Sequence, residues 1–343
     1  MAGKGSHSAK SKHMSVWKLV VIDILCIGVG LVVFALFHHV IHFDQKAEPT
    51  LITPVTPTPV ETAEPEPTPE TPEQSAEPEI TPEPVKVYKG MWGEKFADKF
   101  TDGEVIVTEN SYQSENVNIT VTKYEGDRQI YYVADIYIND ITCLRSGFAN
   151  DKYDGGIVPL ADMARDFGAV VGISGDHYYG RYEGIVVRNY YWYRETRFQD
   201  IGVLLSDGRL VTMTNAEIDM DNLKEAAPYQ IWSFGPELLD EEGKAKTSFN
   251  STVTVNNPRS AIGCVEPGHY YFVVVDGRIN ESRGMTMQEL AQLFEDLGCV
   301  SAYNLDGGQS SGFVWQGELI SYPYGRNVSD IIYIVDGAQE GDD

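Results

Sequence analysis

Cysteine, histidine and positive charge are all in short supply in this chain of 343 residues, and each shortage removes a class of function. The four cysteines, Cys26, Cys143, Cys264 and Cys299, stand far apart and form no Cys-x-x-Cys pair, so the sequence holds neither a disulfide framework nor a zinc knuckle. At most one disulfide is open to Cys143, Cys264 and Cys299, and buried thiols are the default expectation. The seven histidines include no His-Glu-x-x-His, the usual signature of a catalytic zinc helix. Lys and Arg number 26 against 51 Asp and Glu, a net charge of -25, which excludes nucleic acid as a partner. The same charge repels polyanions at long range, so a phosphate-bearing substrate would need a local cationic pocket or a bound cation. No repeat at a solenoid period is present, and long apolar runs are limited to one.

That run, residues 19–41, is long enough at about 1.5 Å per residue to cross a hydrocarbon core of about 30 Å. Lys4, Lys10, Lys12 and Lys18 precede it with no acidic residue among them, which predicts a transmembrane signal anchor with residues 1–18 as a cytoplasmic basic tail. The bulk of the chain is then extracellular, at a cell membrane crossed once. Residues 42–87 turn to Thr, Pro and Glu, a composition that cannot form an apolar core and predicts a disordered spacer. Residues 88–128 read as a lead-in segment with short strands, residues 129–336 as the globular domain, and residues 337–343 as an acidic tail.

Inside the domain, Thr286 and Glu289 fit a capping box, Leu290, Leu293, Phe294 and Leu297 make one apolar face, and Gly298 closes the pattern as an amphipathic helix. A shorter helix is expected over residues 158–168, with proline at its start and glycine after its end. Strand signals are more frequent: residues 131–138, 170–174, 184–188, 200–205, 209–214, 230–234, 269–276 and 331–335. Helices interrupt the strands at two or three points only. This predicts an α+β fold with a mixed sheet and a few helices, preceded by the transmembrane helix and the Pro/Glu/Thr linker.

The most distinctive stretch is Asn304-Leu-Asp-Gly-Gly-Gln-Ser-Ser311, where an apolar strand pattern runs into a carboxylate, two glycines and two hydroxyls. The glycines permit a sharp turn and close approach to a ligand, while Asn304, Asp306, Ser310 and Ser311 supply polar atoms. By spacing alone a polar turn between strands would account for it.

In ordered blocks the chain resembles the phosphodiester glycosidase family. The blocks are Val171-Gly-Ile-Ser-Gly-Asp-His-Tyr-Tyr179, Gly184-Ile-Val-Val-Arg-Asn189, Ser233-Phe-Gly-Pro-Glu-Leu238, Pro258-Arg-Ser-Ala-Ile-Gly263, Val273-Val-Val-Asp-Gly-Arg278, residues 304–311, and Arg326 followed by Val328-Ser-Asp-Ile-Ile332. They cover roughly residues 130 to 335. Ser174-Gly-Asp-His-Tyr-Tyr replaces the family's usual Asn-Gly-Gly-Phe-Phe-like block, which leaves the sugar open.

The resemblance implies a sugar 1-phosphodiester substrate, whose phosphate ester departs as a stabilised anion without a strong general acid. Such a site needs a carboxylate at the anomeric carbon and donors for the departing phosphate. Asp306 is the first candidate and Asp176 the second, each alternatively a sugar-hydroxyl acceptor or a turn residue. His177 is a candidate substrate donor or proton shuttle, with a structural hydrogen bond as its other reading. Arg259 and Arg326 are candidates for the phosphate clamp, because a guanidinium holds two phosphate oxygens in a planar fork. The backbone of Gly307 and Gly308, the hydroxyls of Ser310 and Ser311, and Asn304 complete the substrate-binding set.

Three function classes follow: a membrane-anchored glycosidase acting on a sugar-1-phosphodiester or cell-envelope glycan, a non-catalytic glycan-binding or exopolysaccharide-assembly protein, and a metal-assisted phosphoesterase. No cofactor is required by the first two. The third would take Ca²⁺ or Mg²⁺ on oxygen ligands from Asp176, Asp306 and Asp330.

Overall fold

The β-branched and aromatic runs of this chain pair as antiparallel strands in a computed structural model, which describes residues 50–51 and 89–337. One six-stranded sheet has the order β1 (Thr50–Leu51), β9 (Tyr191–Arg194), β8 (Val186–Arg188), β12 (Pro228–Trp232), β10 (Ile201–Leu205), β11 (Leu210–Met213). A seven-stranded sheet has the order β15 (Ser301–Asn304), β13 (Arg259–Glu266), β14 (His269–Asp276), β5 (Gln129–Ile138), β4 (Val117–Gly126), β3 (Ser111–Gln113), β2 (Ile106–Val107). A five-stranded sheet has the order β17 (Glu318–Leu319), β16 (Phe313–Trp315), β7 (Val171–Ser174), β18 (Asp330–Ile334), β6 (Leu144–Phe148).

The three sheets share one core, into which Ile119 and Ile136, Leu204 and Trp232, and Ile173 and Ile332 all point. Strand β14 shows why the run His269 to Asp276 is apolar throughout: Phe272 and Val274 enter this core while Val273 and Val275 face a second one beneath a helix. A strand buried on both faces cannot alternate polar with apolar.

Helix α1 (Leu160–Asp166) lies on the five-stranded sheet through Leu160, Met163 and Ala164, and α2 (Met220–Glu225) puts Leu223 among Val203 and Ile231 of the six-stranded sheet. Helix α3 (Met287–Asp296) covers the second core with Leu290, Ala291 and Phe294, and it begins in the expected capping box. Its docking is close, since a Cβ on Gly263 of β13 would stand 2.5 Å from the Phe294 ring.

The α+β expectation is corrected by these facts. Among the described residues the three helices run only 7, 6 and 10 residues, every ladder is antiparallel, and the fold is mostly β with no mixed sheet. Some neighbouring strands are joined by hairpins, as between β4 and β5 and between β13 and β14, and those joined by longer connections, such as β5 with β14 and β7 with β18, are antiparallel as well. No helix among the described residues is long and apolar enough to cross a membrane, and the apolar run 19–41 expected to do so lies outside them. The Thr/Pro/Glu stretch also lies outside them except for Thr50–Leu51, which pairs with β9. The lead-in segment supplies β2, β3 and β4 to the seven-stranded sheet. Cys143, Cys264 and Cys299 are buried, free thiols.

Candidate functional site

Strand ends from all three sheets meet at the loop that follows β15. In the register β13 to β14, Arg259 pairs with Val275, and in β13 to β15, Ala261 pairs with Asn304, so the start of β13 and the ends of β14 and β15 lie at one edge. In the five-stranded sheet Ile331 pairs with Ser174, which places the end of β7 beside the start of β18. Hydrogen bonds join the two edges: Asp306 N–H donates to Gly175 O at 2.9 Å, Ser174 Oγ donates to Asp306 O at 3.0 Å, and Ser260 Oγ donates to Ser174 O at 3.3 Å.

Asp306 is therefore fixed by its own backbone. Its side chain is 11% exposed, and His177 Nδ1 stands 3.6 Å from its Oδ2, too far for a direct hydrogen bond. Burial pushes the Asp306 carboxyl up, while Ser310, His177, Arg326 and Arg181 partly offset that rise. Ser310 lies near enough to act on the carboxylate, yet its Oγ makes no hydrogen bond of full geometry. The loop holds further unsatisfied atoms: Asn304 Oδ1 and Ser311 Oγ are buried without partners, although Asn304 Nδ2 donates to Gly235 O. Buried polar atoms without partners are uncommon, and here they fall in the same eight residues as the Asp306 carboxylate.

Asp176 has a different setting. Arg188 Nη2 donates to Asp176 Oδ1 at 2.8 Å and to Asp330 Oδ2 at 3.0 Å, with all three side chains at most 2% exposed. Ser233 N–H also donates to Asp176 Oδ2. Burial alone would raise Asp176, but the Arg188 charge and these hydrogen bonds hold it below the usual carboxylate range. Asp330 is pushed up to about 7, by burial first and then by the Asp176 charge, with Arg188 offsetting part.

Asp330 in turn sits in a backbone cradle. The N–H groups of Asp176 and His177 donate to its two oxygens at 3.0 and 3.2 Å, and a Cβ on Gly175 would stand 2.1 Å from Oδ2. Only glycine fits there. His177 takes the left-handed conformation, φ 57°, and this turn carries its ring toward Asp306.

The structure thus brings Asp306, His177, Asn304, Ser310 and Ser311 together and sets Asp176 behind them with Arg188 and Asp330. Arg259 is 3% exposed, and its Nε, Nη1 and Nη2 donate to the carbonyls of Met285, Val253 and Val255. Gly308 N–H donates to Pro258 O, so it already has a partner, and a Cβ on Gly307 would meet that same oxygen at 2.7 Å. Arg326 is exposed on the loop before β18, which is pinned by Tyr322 N–H to Asp276 Oδ1 and by Tyr324 hydroxyl to Gly277 O. Arg181 donates to Gln199 and to Ser233 O and lies over the Phe234 ring.

Sequence reasoning passed over Arg188, Arg181, Arg278 and Asn257, and weighed Asp330 only as a metal ligand. The signal for Arg188 and Asp330 was present, since each charge abuts an apolar strand and a charge there needs an opposite partner. Among the described residues no group of three or more His, Cys, Asp or Glu side chains is disposed around a metal position.

The described residues form an antiparallel β domain with a buried carboxylate at converging strand ends. Residues 167–335 match the phosphodiester glycosidase family. The chain is 41% identical over 83 residues to bovine (Bos taurus) N-acetylglucosamine-1-phosphodiester alpha-N-acetylglucosaminidase, covering 24% of this chain and 16% of the relative. It is 34% identical over 131 residues to the SPbeta prophage-derived uncharacterized protein YomE of Bacillus subtilis (strain 168), covering 37% of this chain and 19% of that one. The chain thus spans under a fifth of the length of these relatives. The catalytic domain of zebrafish N-acetylglucosamine-1-phosphodiester alpha-N-acetylglucosaminidase, auto-inhibited by its pro-peptide, shares the fold with a TM-score of 0.52 at 20% identity, over 64% of this chain and 83% of that one.

Proposed function

We propose that this chain cleaves a sugar from a sugar-1-phosphodiester, delivering it to water or to an acceptor hydroxyl, in cell-envelope glycan metabolism. The observation that carries the reading is the Asp306 carboxylate, buried and rigidly held, with His177 3.6 Å away and unsatisfied polar atoms of Asn304 and Ser311 around it. Burial makes Asp306 a stronger base than a solvated aspartate. In the proposed reaction the bond from the anomeric carbon to the phosphate oxygen breaks and its electron pair leaves with the phosphate. The incoming hydroxyl oxygen bonds to that carbon, and its proton passes to Asp306. The leaving phosphate is already a weak base, so no strong general acid is required. The names of the mammalian relatives make N-acetylglucosamine 1-phosphodiesters the first substrates to try. For location, the lysine-flanked apolar stretch supports a domain held at the outer face of a cell membrane.

The test is release of free reducing sugar from a panel of sugar-1-phosphodiesters, compared with Asp306→Asn. Turnover should fall by roughly 10³-fold or more, about 4 kcal/mol of lost transition-state stabilisation, with the melting temperature little changed. Unchanged turnover would reduce Asp306 to a shaper of its loop. Binding of glycan without any turnover by the native chain would replace the enzyme reading with a glycan-binding one.

A further inference from the structure

In a chain with 51 acidic residues against 26 basic ones, an arginine has no shortage of carboxylates to pair with. Yet among the described residues no carboxylate lies within ion-pair distance of Arg259 or Arg278, although the two guanidinium groups are close enough for Arg278 to depress the basicity of Arg259. Burial is the larger cause of that depression, and it holds Arg259 near about 10. The nearest acid in sequence, Asp276, is turned aside to accept from Tyr322 N–H and the Tyr132 hydroxyl. Arg259 is buried and Arg278 is exposed, so water screens part of their repulsion, and an anion at the exposed Arg278 would relieve the rest.

The geometry shows where that anion would sit. Arg259 directs each of its three nitrogens at a carbonyl, bracing the segment around Val253, Val255 and Met285. Arg278 is held differently: Asn257 Oδ1 accepts from both its Nε and its Nη2, which fixes the plane of the guanidinium and leaves Nη1 without a described partner. Nη1 lies 3.6 Å from the point where a Gly308 side chain would begin, two residues beyond Asp306. Gly308 has φ +61°, so glycine both permits the turn and keeps the approach to Nη1 open. In the same loop Ser311 Oγ is buried without a partner. Arg278 itself has φ 58°, a backbone state that costs an arginine about 1 kcal/mol.

We infer that Arg278, oriented by Asn257 beside Gly308 and backed by Arg259, is an anion site that receives the phosphate group of the substrate. The assignment rests on the glycosyl-phosphodiester reading for its ligand, but not for its test. Calorimetric titration of the full chain in detergent with inorganic phosphate should show binding in the native protein. Arg278→Gln should weaken that binding by about tenfold or more, and Arg278→Lys should recover only part, because the ammonium lacks the planar fork. Asn257→Ala should weaken binding while leaving all the charges in place. Arg209→Gln removes one positive charge at an exposed ion pair with Asp207 and should change nothing.

Equal phosphate affinity in the native chain and Arg278→Gln would overturn the inference, as would no detectable binding to the native chain up to about 10 mM phosphate. The two proposals fail separately. Phosphate binding that depends on Arg278, without turnover of any phosphodiester, keeps the site and removes the reaction. Turnover indifferent to Arg278→Gln keeps the reaction and removes the site.

Discussion

Three aspartates with one side chain have three different environments here, and environment decides their work. Asp306 faces His177 across a 3.6 Å gap beside unsatisfied polar atoms, whereas Asp176 and Asp330 share one nitrogen of the buried Arg188. Two carboxylates on one guanidinium leave an excess negative charge in the interior, and Asp330 carries the consequence by rising to about 7. The sign for stability follows. The folded state binds the Asp330 proton more tightly than the unfolded chain, whose aspartates titrate near about 4, so this contribution is full at low pH and is lost as pH rises through about 7. Asp330→Asn removes the excess charge and keeps an oxygen for only one of the N–H groups of Asp176 and His177, a loss that is the same at every pH. Relative to this variant, the native chain should lose stability between pH 5 and pH 8 in urea titrations. A difference independent of pH would show that Asp330 does not titrate there.

At the scale of elements, α3 is where local sequence and tertiary packing agree most fully. Thr286 Oγ1 accepts from Glu289 N–H at 3.1 Å, Glu289 accepts from Thr286 N–H at 2.8 Å, and Arg283 pairs with the same glutamate. The Arg283 hydrogen bond leads in holding Glu289 down to about 2, against a smaller opposing effect of burial. Thr286→Ala removes one half of the reciprocal cap and should cost about 1 kcal/mol by urea unfolding. A loss under about 0.3 kcal/mol would mean that the apolar face of Leu290 and Phe294 holds the helix without its cap. The turn that presents His177 is the opposite case, since its left-handed backbone is secured by Asp330, 153 residues away, and by no local signal.

For the whole molecule, the three sheets set loops from distant parts of the chain at one edge, and the charge pattern outside the described residues bears on where that edge works. If the domain is held at the outer face of a membrane, protease added to intact cells should remove it. Resistance until lysis, or quantitative appearance of a cleaved form in the medium, would overturn that location. The acidic excess of the chain repels anions at long range, so the proposed anionic substrate would depend on local positive charge at the site edge.

The sequence by itself determined α1 and α3 with their terminal residues, most of the strands, and the loop from Asn304 to Ser311 with Asp306 in it. These are written in turn chemistry, capping and periodicity, which act over a few residues. It did not determine that the strands pair antiparallel throughout, because strand propensity is the same for either direction and the long connections do not reveal in which direction the chain returns. Nor did it determine that Asp176 would be joined to Arg188, that Arg188 would reach Asp330 across 142 residues, or that Asn257 would hold Arg278 beside Gly308. Those partnerships come from the register of strands far apart in the chain, and register is fixed only when whole apolar faces are buried against one another.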